Sequence, residues 1–344
     1  MKRKRKSSDP WVSSPDLVRE FMGVRPSYEE LCREVEYILR KRLGGSDVEI
    51  SAVTSRAKTL NSFLGKLVRK SYADPLSEVT DLAGVRVVCL YLDDIPAIDQ
   101  IINDEFRVVE RVDKLAEKQP NEFGYGALHF IVRLGKRSSG ARYDDLRNLP
   151  CEIQVRTALQ DAWAIIEHHL VYKSESAAPP EIQRKLGRLA AQLEDADDRF
   201  QQIRRERTVY VEAIRESTGE RERFLATRLN LDSFKEYLVW KLPDRPVELG
   251  AGQMGFNLKV LQDAGYSTLD DIEQALDQDL LDSAVAVEHD LPAPFHRQDG
   301  RFPSSFLVAL AIALGNKSAM DGLSERDPTF NDITPYARWS AIER

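Results

Sequence analysis

Cysteine is scarce in this chain, and long apolar runs are missing. Its 344 residues include three cysteines, Cys32, Cys89 and Cys151, which lie far apart and form no CxxC pair. An odd number of widely spaced cysteines argues against a disulfide framework and against a zinc site, so we expect three reduced thiols packed in a core. The most apolar run, from Phe306 to Leu314, is nine residues long, too short for a membrane-spanning helix. The sequence therefore predicts no membrane span.

The chain also lacks an excess of positive charge. Its formal net charge is −7 and its pI is about 5.5, which argues against a protein that coats nucleic acid with its whole surface. The basic run from Lys2 to Lys6 has no apolar stretch behind it, so it does not match a secretory signal peptide. We interpret this run as a solvated tail and expect the protein to be cytoplasmic.

Two common nucleotide-binding motifs are absent as well. The sequence contains neither GxxxxGK[ST] nor GxGxxG. The first absence argues against a P-loop protein, and the second argues against dinucleotide-binding proteins and protein kinases. Any nucleotide that this chain binds must be held in another way.

Length and composition predict two folded domains. A typical domain has roughly 150 residues, and the composition changes after the charged stretch from Glu216 to Arg223. We expect a flexible N-terminal segment at residues 1–26, an α/β domain at 27–217, and a mainly helical C-terminal domain at 218–344.

The pattern of apolar residues predicts the elements of the α/β domain. Ser27 is expected to cap a helix that ends near Leu43, before Gly44, and a second helix is expected around 56–70. Another helix is predicted from Ile95 to Asn103, and one from Ala158 to Tyr172. Runs of buried-type residues predict four strands, at Val85–Tyr91, Phe106–Val112, Ala127–Leu134 and Cys151–Val155.

A long helix is predicted after Pro179 and Pro180. Its apolar residues from Ile182 to Ile203 alternate at intervals of four and three, which is heptad spacing. Such a stripe fits either a helix that packs across its own domain or one that mediates self-association. Both interpretations, and with the second a homo-oligomer, stay open at this point.

Acidic and basic side chains suggest a site at the edge of the sheet. Asp81 precedes a predicted strand, and Glu152 lies one residue into the last one. Five bases fall in one short window that we place on a helix: Arg56, Lys58, Lys66, Arg69 and Lys70. Carboxylates can hold Mg²⁺ while bases neutralise phosphate, although acids at strand ends are common in any α/β domain.

Taken in order, five segments resemble the synthetase domain of the RelA/SpoT alarmone family, over about residues 30–200. They are SRAK at 55–58 with Ser62 and Lys66, DLAGVR at 81–86, GYGALH at 124–129, EIQVRT at 152–157, and QDAWA at 160–164 with His168 and Tyr172-Lys173. The resemblance implies a nucleotidyltransferase-like mixed β-sheet flanked by helices. It also implies Mg²⁺-dependent transfer of pyrophosphate from ATP to the 3′-hydroxyl of GDP or GTP.

The resemblance also implies a role for each matching residue. Asp81 and Glu152 would ligate Mg²⁺, and Glu152 would accept a hydrogen bond from the attacking hydroxyl. Arg56 and Arg86 would stack on the two faces of adenine, where planar guanidinium groups suit the task. The remaining ATP-binding residues would be Lys58, Ser62, Lys66 and Arg69, and the acceptor-binding residues would be Tyr125, His129 and Gln154. Trp163 is expected in the core.

Two departures from the family pattern bear on the reaction. Gly126 and Ala127 stand where the family usually has a polar residue and then serine, so we expect a looser acceptor loop with one contact to the acceptor fewer. Nothing resembles the family's His-Asp hydrolase domain, so we expect no hydrolysis of the product.

Alternative functions stay open. A toxin-type synthetase would transfer pyrophosphate to the 3′ end of tRNA or to an adenine nucleotide, and a catalytically silent protein would sense nucleotides with the same pocket. A tRNA acceptor would need a basic path away from the site. The candidates for such a path are Lys70, Arg133, Lys136, Arg137, Arg142 and Arg147.

The C-terminal domain gives a weaker signal. Residues 258–276 predict a helix, a glycine turn, an N-cap at Ser267 or Thr268, and a second helix. The second helix carries four acids, Asp270, Asp271, Glu273 and Asp277. Their negative charge would repel the phosphates of a nucleic acid. We interpret the domain as a packing or protein-binding module. It either restrains the catalytic site until a protein or ligand releases it, or serves passively in assembly and stability.

Overall fold

The structure is a computed structural model, and it describes residues 14–114, 126–170, 179–247, 252–290 and 301–326. The chain divides into two compact units, residues 1–204 and residues 205–344. Each unit has its own apolar core. The division between the units falls within one long helix, Pro180–Ser217.

Unit 1 contains a five-stranded mixed sheet. Its strands are β1 (Ile50–Ala57), β2 (Ala83–Cys89), β3 (Phe106–Asp113), β4 (Leu128–Leu134) and β5 (Cys151–Thr157). The order across the sheet is β1-β2-β5-β4-β3; β2 and β5 are parallel, and the other pairs are antiparallel. The four predicted strands are confirmed, and so is the predicted fold class, a mixed sheet flanked by helices.

Six α-helices of unit 1 lie in the described ranges, and the last of them continues into unit 2. They are α1 (Pro15–Leu43), α2 (Leu60–Arg69), α3 (Pro75–Glu78), α4 (Ile95–Glu105), α5 (Ala158–Leu170) and α6 (Pro180–Ser217). All three cysteines are free and buried, as predicted. Burial raises the pKa of each thiol, which keeps the thiols protonated and unreactive.

The predicted start of the first helix at Ser27 is wrong. Helix α1 begins at Pro15, so residues 15–26, which the sequence assigned to a flexible segment, form its first turns. Val18 and Phe21 are buried, and the Phe21 ring stacks on Phe63 of α2 with centroids 4.7 Å apart. Pro26 lies inside the helix. Proline removes one backbone hydrogen bond. The helix nevertheless continues through Pro26, and the buried side chains before it, Val18 and Phe21, stabilise its first turns.

The prediction of a helix from residue 56 is also wrong at its beginning. Residues 50–57 form β1, and α2 starts at Leu60 after the N-cap Thr59. Arg56 therefore lies on a strand and Lys58 on the connection that follows. Strand β1 is at the edge of the sheet, and only Val53 of its eight residues is buried. An edge strand with so little buried surface has no strong alternation of apolar residues, which is the signal that reveals strands in a sequence.

Helix α6 is anchored to unit 1 along one side. Its Leu186 and Ala190 pack on Trp163 of α5, a buried residue as predicted. The Thr157 hydroxyl at the end of β5 donates a hydrogen bond of 2.6 Å to the Asp197 carboxylate. Four members of the heptad stripe, Ile182, Leu189, Phe200 and Ile203, are 42–60% exposed. The stripe thus packs within the domain along part of its width, and self-association through the rest stays a prediction.

Unit 2 is helical in its described part, as predicted. Its helices are α7 (Arg221–Leu225), α8 (Leu231–Lys241), α9 (Gln253–Asp263), α10 (Leu269–Ala275), α11 (Gln278–Asp290), α12 (Ser304–Gly315) and α13 (Lys317–Arg326). Residues 304–313 of α12 are all buried at the centre of the unit. No helix in the described ranges is long and apolar enough to cross a bilayer.

The two helices and the glycine turn predicted for residues 258–276 of unit 2 are present. It consists of α9, a turn at Gly265 with φ near +100°, and α10 with its N-cap at Thr268. Two of the acids on α10 have structural partners. Asp271 accepts the backbone N–H groups of Ser267 and Thr268. Glu273 accepts from the Tyr237 hydroxyl at 2.6 Å and pairs with Lys241 at 2.9 Å. These contacts favour a packing role for α10.

Truncation of Phe21 tests the early start of α1. Phe21→Ala should lower the free energy of unfolding by about 3–5 kcal/mol, the usual cost of removing a buried phenylalanine. Met22→Ala is the matched control, because Met22 lies on the same turn and is 45% exposed; it should change stability by no more than about 0.5 kcal/mol. Urea unfolding followed by circular dichroism measures both. Equal effects of the two substitutions would show that residues 15–26 are not packed on the rest of unit 1.

The buried Asp197 predicts a pH-dependent stability. Burial, together with the neighbouring Asp198, raises the pKa of Asp197 to about 7, whereas an unfolded aspartate titrates near pH 3.9. Between these values the native state keeps a proton that the unfolded state releases, so stability should fall as the pH rises through this window. Asp197→Asn cannot ionise and should lose less stability than the wild type between pH 5 and pH 8 in urea unfolding. The exposed Asp195→Asn is the control, and parallel profiles for all three proteins would refute the assignment.

Candidate functional site

A cavity of about 350 Å³ opens on one face of the sheet, over β1, β2 and β5. Side chains alternate between the two faces of a strand, and the strand register brings Arg56 opposite Gly84, Gly84 opposite Glu152, and Arg86 opposite Gln154. These residues therefore share a face. The full lining is Thr54, Ser55, Arg56, Ala57, Lys58, Thr59, Ser62, Asp81, Gly84, Val85, Arg86, Glu152 and Gln154.

Asp81 lies between two lysines. The Lys58 Nζ is 2.7 Å from Asp81 Oδ2, and the Lys66 Nζ is 2.9 Å from Asp81 Oδ1. Burial alone would raise the pKa of Asp81, but the hydrogen bonds and charges of the two lysines outweigh it, and the pKa lies below its ordinary value. Asp81 is therefore ionised at neutral pH, with two ammonium groups around it.

Glu152 is hydrogen-bonded by a histidine and a glutamine, whereas Asp81 is held by two lysines. His129 Nδ1 lies 3.1 Å from Glu152 Oε1, and the Gln154 amide donates to Glu152 Oε2 at 2.9 Å. Burial by itself would raise the pKa of Glu152, and the Asp81 charge acts in the same direction, but the bond and charge of His129 and the bond from Gln154 lower it below its ordinary value. Glu152 is thus an ionised, oriented carboxylate that faces the cavity.

Two arginines on this face of the sheet approach the same carboxylate, that of Asp161 on α5. Arg86 NH1 is 2.9 Å from Asp161 Oδ1, and Arg156 NH1 is 3.7 Å from the same oxygen. Arg156 also donates to the Gln154 side-chain oxygen at 2.9 Å. A continuous polar chain therefore runs from Glu152 through Gln154, Arg156 and Asp161 to Arg86.

The first turn of α2 borders the cavity. The Thr59 hydroxyl caps this helix by accepting the Ser62 N–H at 3.3 Å, and both residues line the cavity. A helix N-terminus carries partial positive charge and free N–H groups, which favour anions. Together with Lys58 and Lys66 it makes this end of the cavity suitable for phosphate.

Most of the predicted site residues come together here. Arg56, Lys58, Ser62, Asp81, Arg86, Glu152 and Gln154 line the cavity. Lys66 contacts Asp81, and His129 contacts Glu152. Arg69 lies on the last turn of α2, where its Nε donates to the Gly65 carbonyl, and it is not part of the lining. Tyr125 lies outside the described residues.

Sequence reasoning missed three contributors to the site. Thr59 could have been found as an N-cap three residues before Ser62. Gly84 could have been found as a residue without a side chain on the strand that follows Asp81, where it lies between Arg56 and Glu152. Asp161 had a weaker signal, an acid in the first turn of the helix that follows β5.

The donor set suits a magnesium ion. In the described part of the chain no group of three or more His, Cys, Asp and Glu side chains could hold a metal by itself. Mg²⁺ in nucleotide sites is usually bound by one or two carboxylates, with water and substrate phosphates completing its shell. Asp81 and Glu152 supply two ionised carboxylates that face one cavity and repel each other, an arrangement that a divalent cation would stabilise.

The residues considered for an RNA path do not all meet in one place. Lys136, Arg137 and Arg147 line a second cavity of about 870 Å³ together with Arg107. Arg137 pairs with Glu105 at 2.8 Å and Arg142 with Glu34 at 2.6 Å, so two of the bases are already neutralised. Asp104 and Asp144 also line this cavity, which leaves it without a strong positive charge.

The residues that form this cavity lie in a part of the chain that is similar to known proteins. A family model described as the region found in RelA / SpoT proteins matches residues 55–177. The chain is 33% identical to GTP pyrophosphokinase YjbM of Bacillus subtilis over 162 residues, covering 46% of this chain and 73% of that protein. It is 28% identical to GTP pyrophosphokinase YwaC of B. subtilis over 163 residues, covering 46% and 75%.

A solved structure gives a further match. It is small alarmone synthetase 1 from B. subtilis bound to its product pppGpp, with 29% identity, a TM-score of 0.46, and coverage of 56% of this chain and 98% of that one. The family match at residues 55–177 includes the cavity-lining residues from Ser55 to Gln154.

Proposed function

Because the chain belongs to the RelA/SpoT family, we propose that it is a pyrophosphokinase that transfers pyrophosphate from ATP to the 3′-hydroxyl of GDP or GTP. The observation that carries the proposal is the cavity itself, in which two ionised carboxylates lie beside two lysines, two arginines and a helix N-terminus. It is supported by two relatives named GTP pyrophosphokinase. The reaction would take place in the cytoplasm, where both nucleotides are present.

ATP would bind with its adenine over the β1–β2 pair. Arg56 lies opposite Gly84, two residues before Arg86, so the two arginines are diagonal neighbours on one face. Such neighbours are about 7–8 Å apart, roughly twice the ~3.5–4 Å contact distance between stacked atoms. A flat ring would fit between two guanidinium groups held at this spacing.

The phosphates of ATP would lie at the other end of the cavity. Lys58, Lys66 and the α2 N-terminus with Ser62 supply positive charge there. In the structure both lysines hold Asp81. Phosphate oxygens would offer these ammonium groups alternative anionic partners, so ATP binding would free Asp81 to take up a cation.

Asp81 and Glu152 would hold Mg²⁺, which neutralises phosphate charge when it is bound. Glu152 would accept the proton of the acceptor's 3′-hydroxyl. The hydroxyl oxygen forms a bond to the β-phosphorus of ATP, and the bond from that phosphorus to the bridging oxygen of the α-phosphate breaks. AMP leaves, and the acceptor carries two more phosphates. His129 and Gln154 would keep Glu152 oriented for this step, since each hydrogen-bonds one of its oxygens.

The acceptor would bind on the β4 side of Glu152. Tyr125 would stack on its base, and His129 and Gln154 would contact it. A guanine nucleotide is favoured because the relatives at 33% and 28% identity are named GTP pyrophosphokinases.

Transfer to tRNA or to an adenine nucleotide is the alternative. Incubating the purified protein with labelled ATP plus GDP, GTP, ATP or tRNA shows which of these acceptors receives the label. No hydrolysis of the product is expected in the same assay, and failure of every acceptor would favour a nucleotide-sensing protein.

Loss of either carboxylate should abolish transfer. Asp81→Asn and Glu152→Gln each remove an anionic oxygen where the metal and the phosphates gather, and each should lower the rate at least about a hundredfold. The rate of product formation from labelled ATP and GTP at saturating Mg²⁺ measures this, with circular dichroism to check folding. Asp104→Asn, on the rim of the second cavity, is a control that should retain activity. Near-normal turnover in either carboxylate variant would remove Asp81 or Glu152 from the site.

Substitution of Tyr125 tests the acceptor assignment. If the ring stacks on a purine, Tyr125→Phe should keep most of the activity. Tyr125→Ala should raise the KM for the acceptor about ten- to hundredfold, because stacking on an aromatic ring is worth about 1–3 kcal/mol per base. Steady-state kinetics with varied GTP measures both variants. If Phe and Ala at position 125 gave the same KM, the stacking role would be rejected.

A further inference from the structure

One acidic residue near the site has no role in the function proposed above. Asp161 lies in the first turn of α5 and is not part of the cavity lining. Its Oδ1 is 2.9 Å from Arg86 NH1 and 3.7 Å from Arg156 NH1. Arg86 does line the cavity, so Asp161 reaches the site only through other side chains.

The two arginines need a shared counter-charge. Arg156 lies on β5, with its side chain 13% exposed, and Arg86 lies on the neighbouring β2, with its side chain 30% exposed. The Nε atoms of both have no hydrogen-bond partner and are buried. Both guanidinium groups approach the same Asp161 oxygen, at 2.9 Å and 3.7 Å, so they lie close enough to repel each other. In agreement with this geometry, burial and then the Arg86 charge lower the pKa of Arg156. A carboxylate in contact with both keeps them in place.

The position of Asp161 is itself fixed by the fold. The Thr157 N–H donates to the Gln160 side-chain oxygen at 2.9 Å, and the Gln160 N–H donates to the Thr157 hydroxyl at 3.1 Å. Both residues are buried at the start of α5, and Trp163 one turn later is buried against α6. The first turn of α5 is therefore held against the end of β5, with Asp161 directed at the arginines.

We propose that Asp161 is a positioning residue for ATP: it holds the Arg86 guanidinium in the orientation in which that group stacks on adenine. This inference rests on the proposed function. Without the carboxylate, repulsion from Arg156 would move the Arg86 head group, and one stacking partner of the base would be lost. Asp161 does not touch the reacting atoms, so ATP affinity should fall while the chemical step is preserved.

Binding measured without turnover gives the sharpest test. The probe is Mg²⁺ with an ATP analogue that has a methylene group between the α- and β-phosphates and therefore cannot release AMP, titrated into the full chain by calorimetry. Asp161→Asn should weaken binding about tenfold or more, the scale of losing one stacking contact on a base. Arg86→Met should weaken it similarly. The double variant should bind no worse than Arg86→Met, because Asp161 acts through Arg86.

Kinetics and a conservative variant distinguish positioning from a general structural role. Asp161→Asn should raise the KM for ATP and leave kcat within about threefold, the pattern of a lost binding contact. Asp161→Glu keeps the charge and should recover much of the affinity. If Asp161→Asn does not fold, Asp161→Glu takes its place in the test. The proposal then requires Asp161→Glu to bind the analogue nearly as well as the wild type.

Three results would overturn the inference. They are wild-type affinity in Asp161→Asn, additive losses in the double variant, and a fall in kcat without a change in KM. If the wild type bound the analogue but made no product, the proposed reaction would fail while the role of Asp161 in ATP binding could still be measured. If the wild type did not bind the analogue at all, both proposals would be rejected.

Discussion

The parallel pairing of β2 with β5 is the contact on which the site depends. These strands are separated by more than sixty residues of chain, yet their register sets Gly84 beside Glu152 and Arg86 beside Gln154. Asp81, just before β2, thereby faces the same cavity as the Glu152 carboxylate of β5. The antiparallel neighbours β1 and β4 add Arg56 and His129 to the same face. A shift of one residue in this register would turn Glu152 and Gln154 to the opposite face of the sheet. The fold therefore fixes the site through backbone hydrogen bonds rather than through its polar side chains.

Charge compensation is the second requirement of this face. Asp81 and Glu152 are about 20% exposed, and a largely buried carboxylate is costly unless it is paired or hydrogen-bonded. Each has such partners, Asp81 the two lysines and Glu152 His129 and Gln154. The arginines are balanced through Asp161. The partners of Asp81 are lysines, which a phosphate would also attract, so nucleotide binding would exchange one set of ionic contacts for another.

The sequence predicted the strands β2 to β5 and most of the cavity lining because both signals are local. Buried strands show as apolar runs, and the site residues lie in short segments that can be matched one by one. The edge strand β1 was missed because Val53 is its only buried residue, and the start of α1 was missed because Pro26 reads as a helix boundary. The contacts of Lys58 and Lys66 with Asp81, and of Asp161 with Arg86, could not be predicted, because they depend on pairings between distant segments. The role of Tyr125 stays a prediction from its sequence motif, because the residue lies outside the described ranges.

The central claim is that this cavity transfers pyrophosphate as a unit, and the fate of the ATP phosphates tests it most directly. The protein is incubated with GTP and with ATP labelled either at the β- or at the γ-phosphate, and the products are separated by chromatography. Pyrophosphoryl transfer predicts AMP in equal amount to a guanine nucleotide that carries the label from both positions. Formation of ADP, with only the γ-label on the acceptor, would contradict the account.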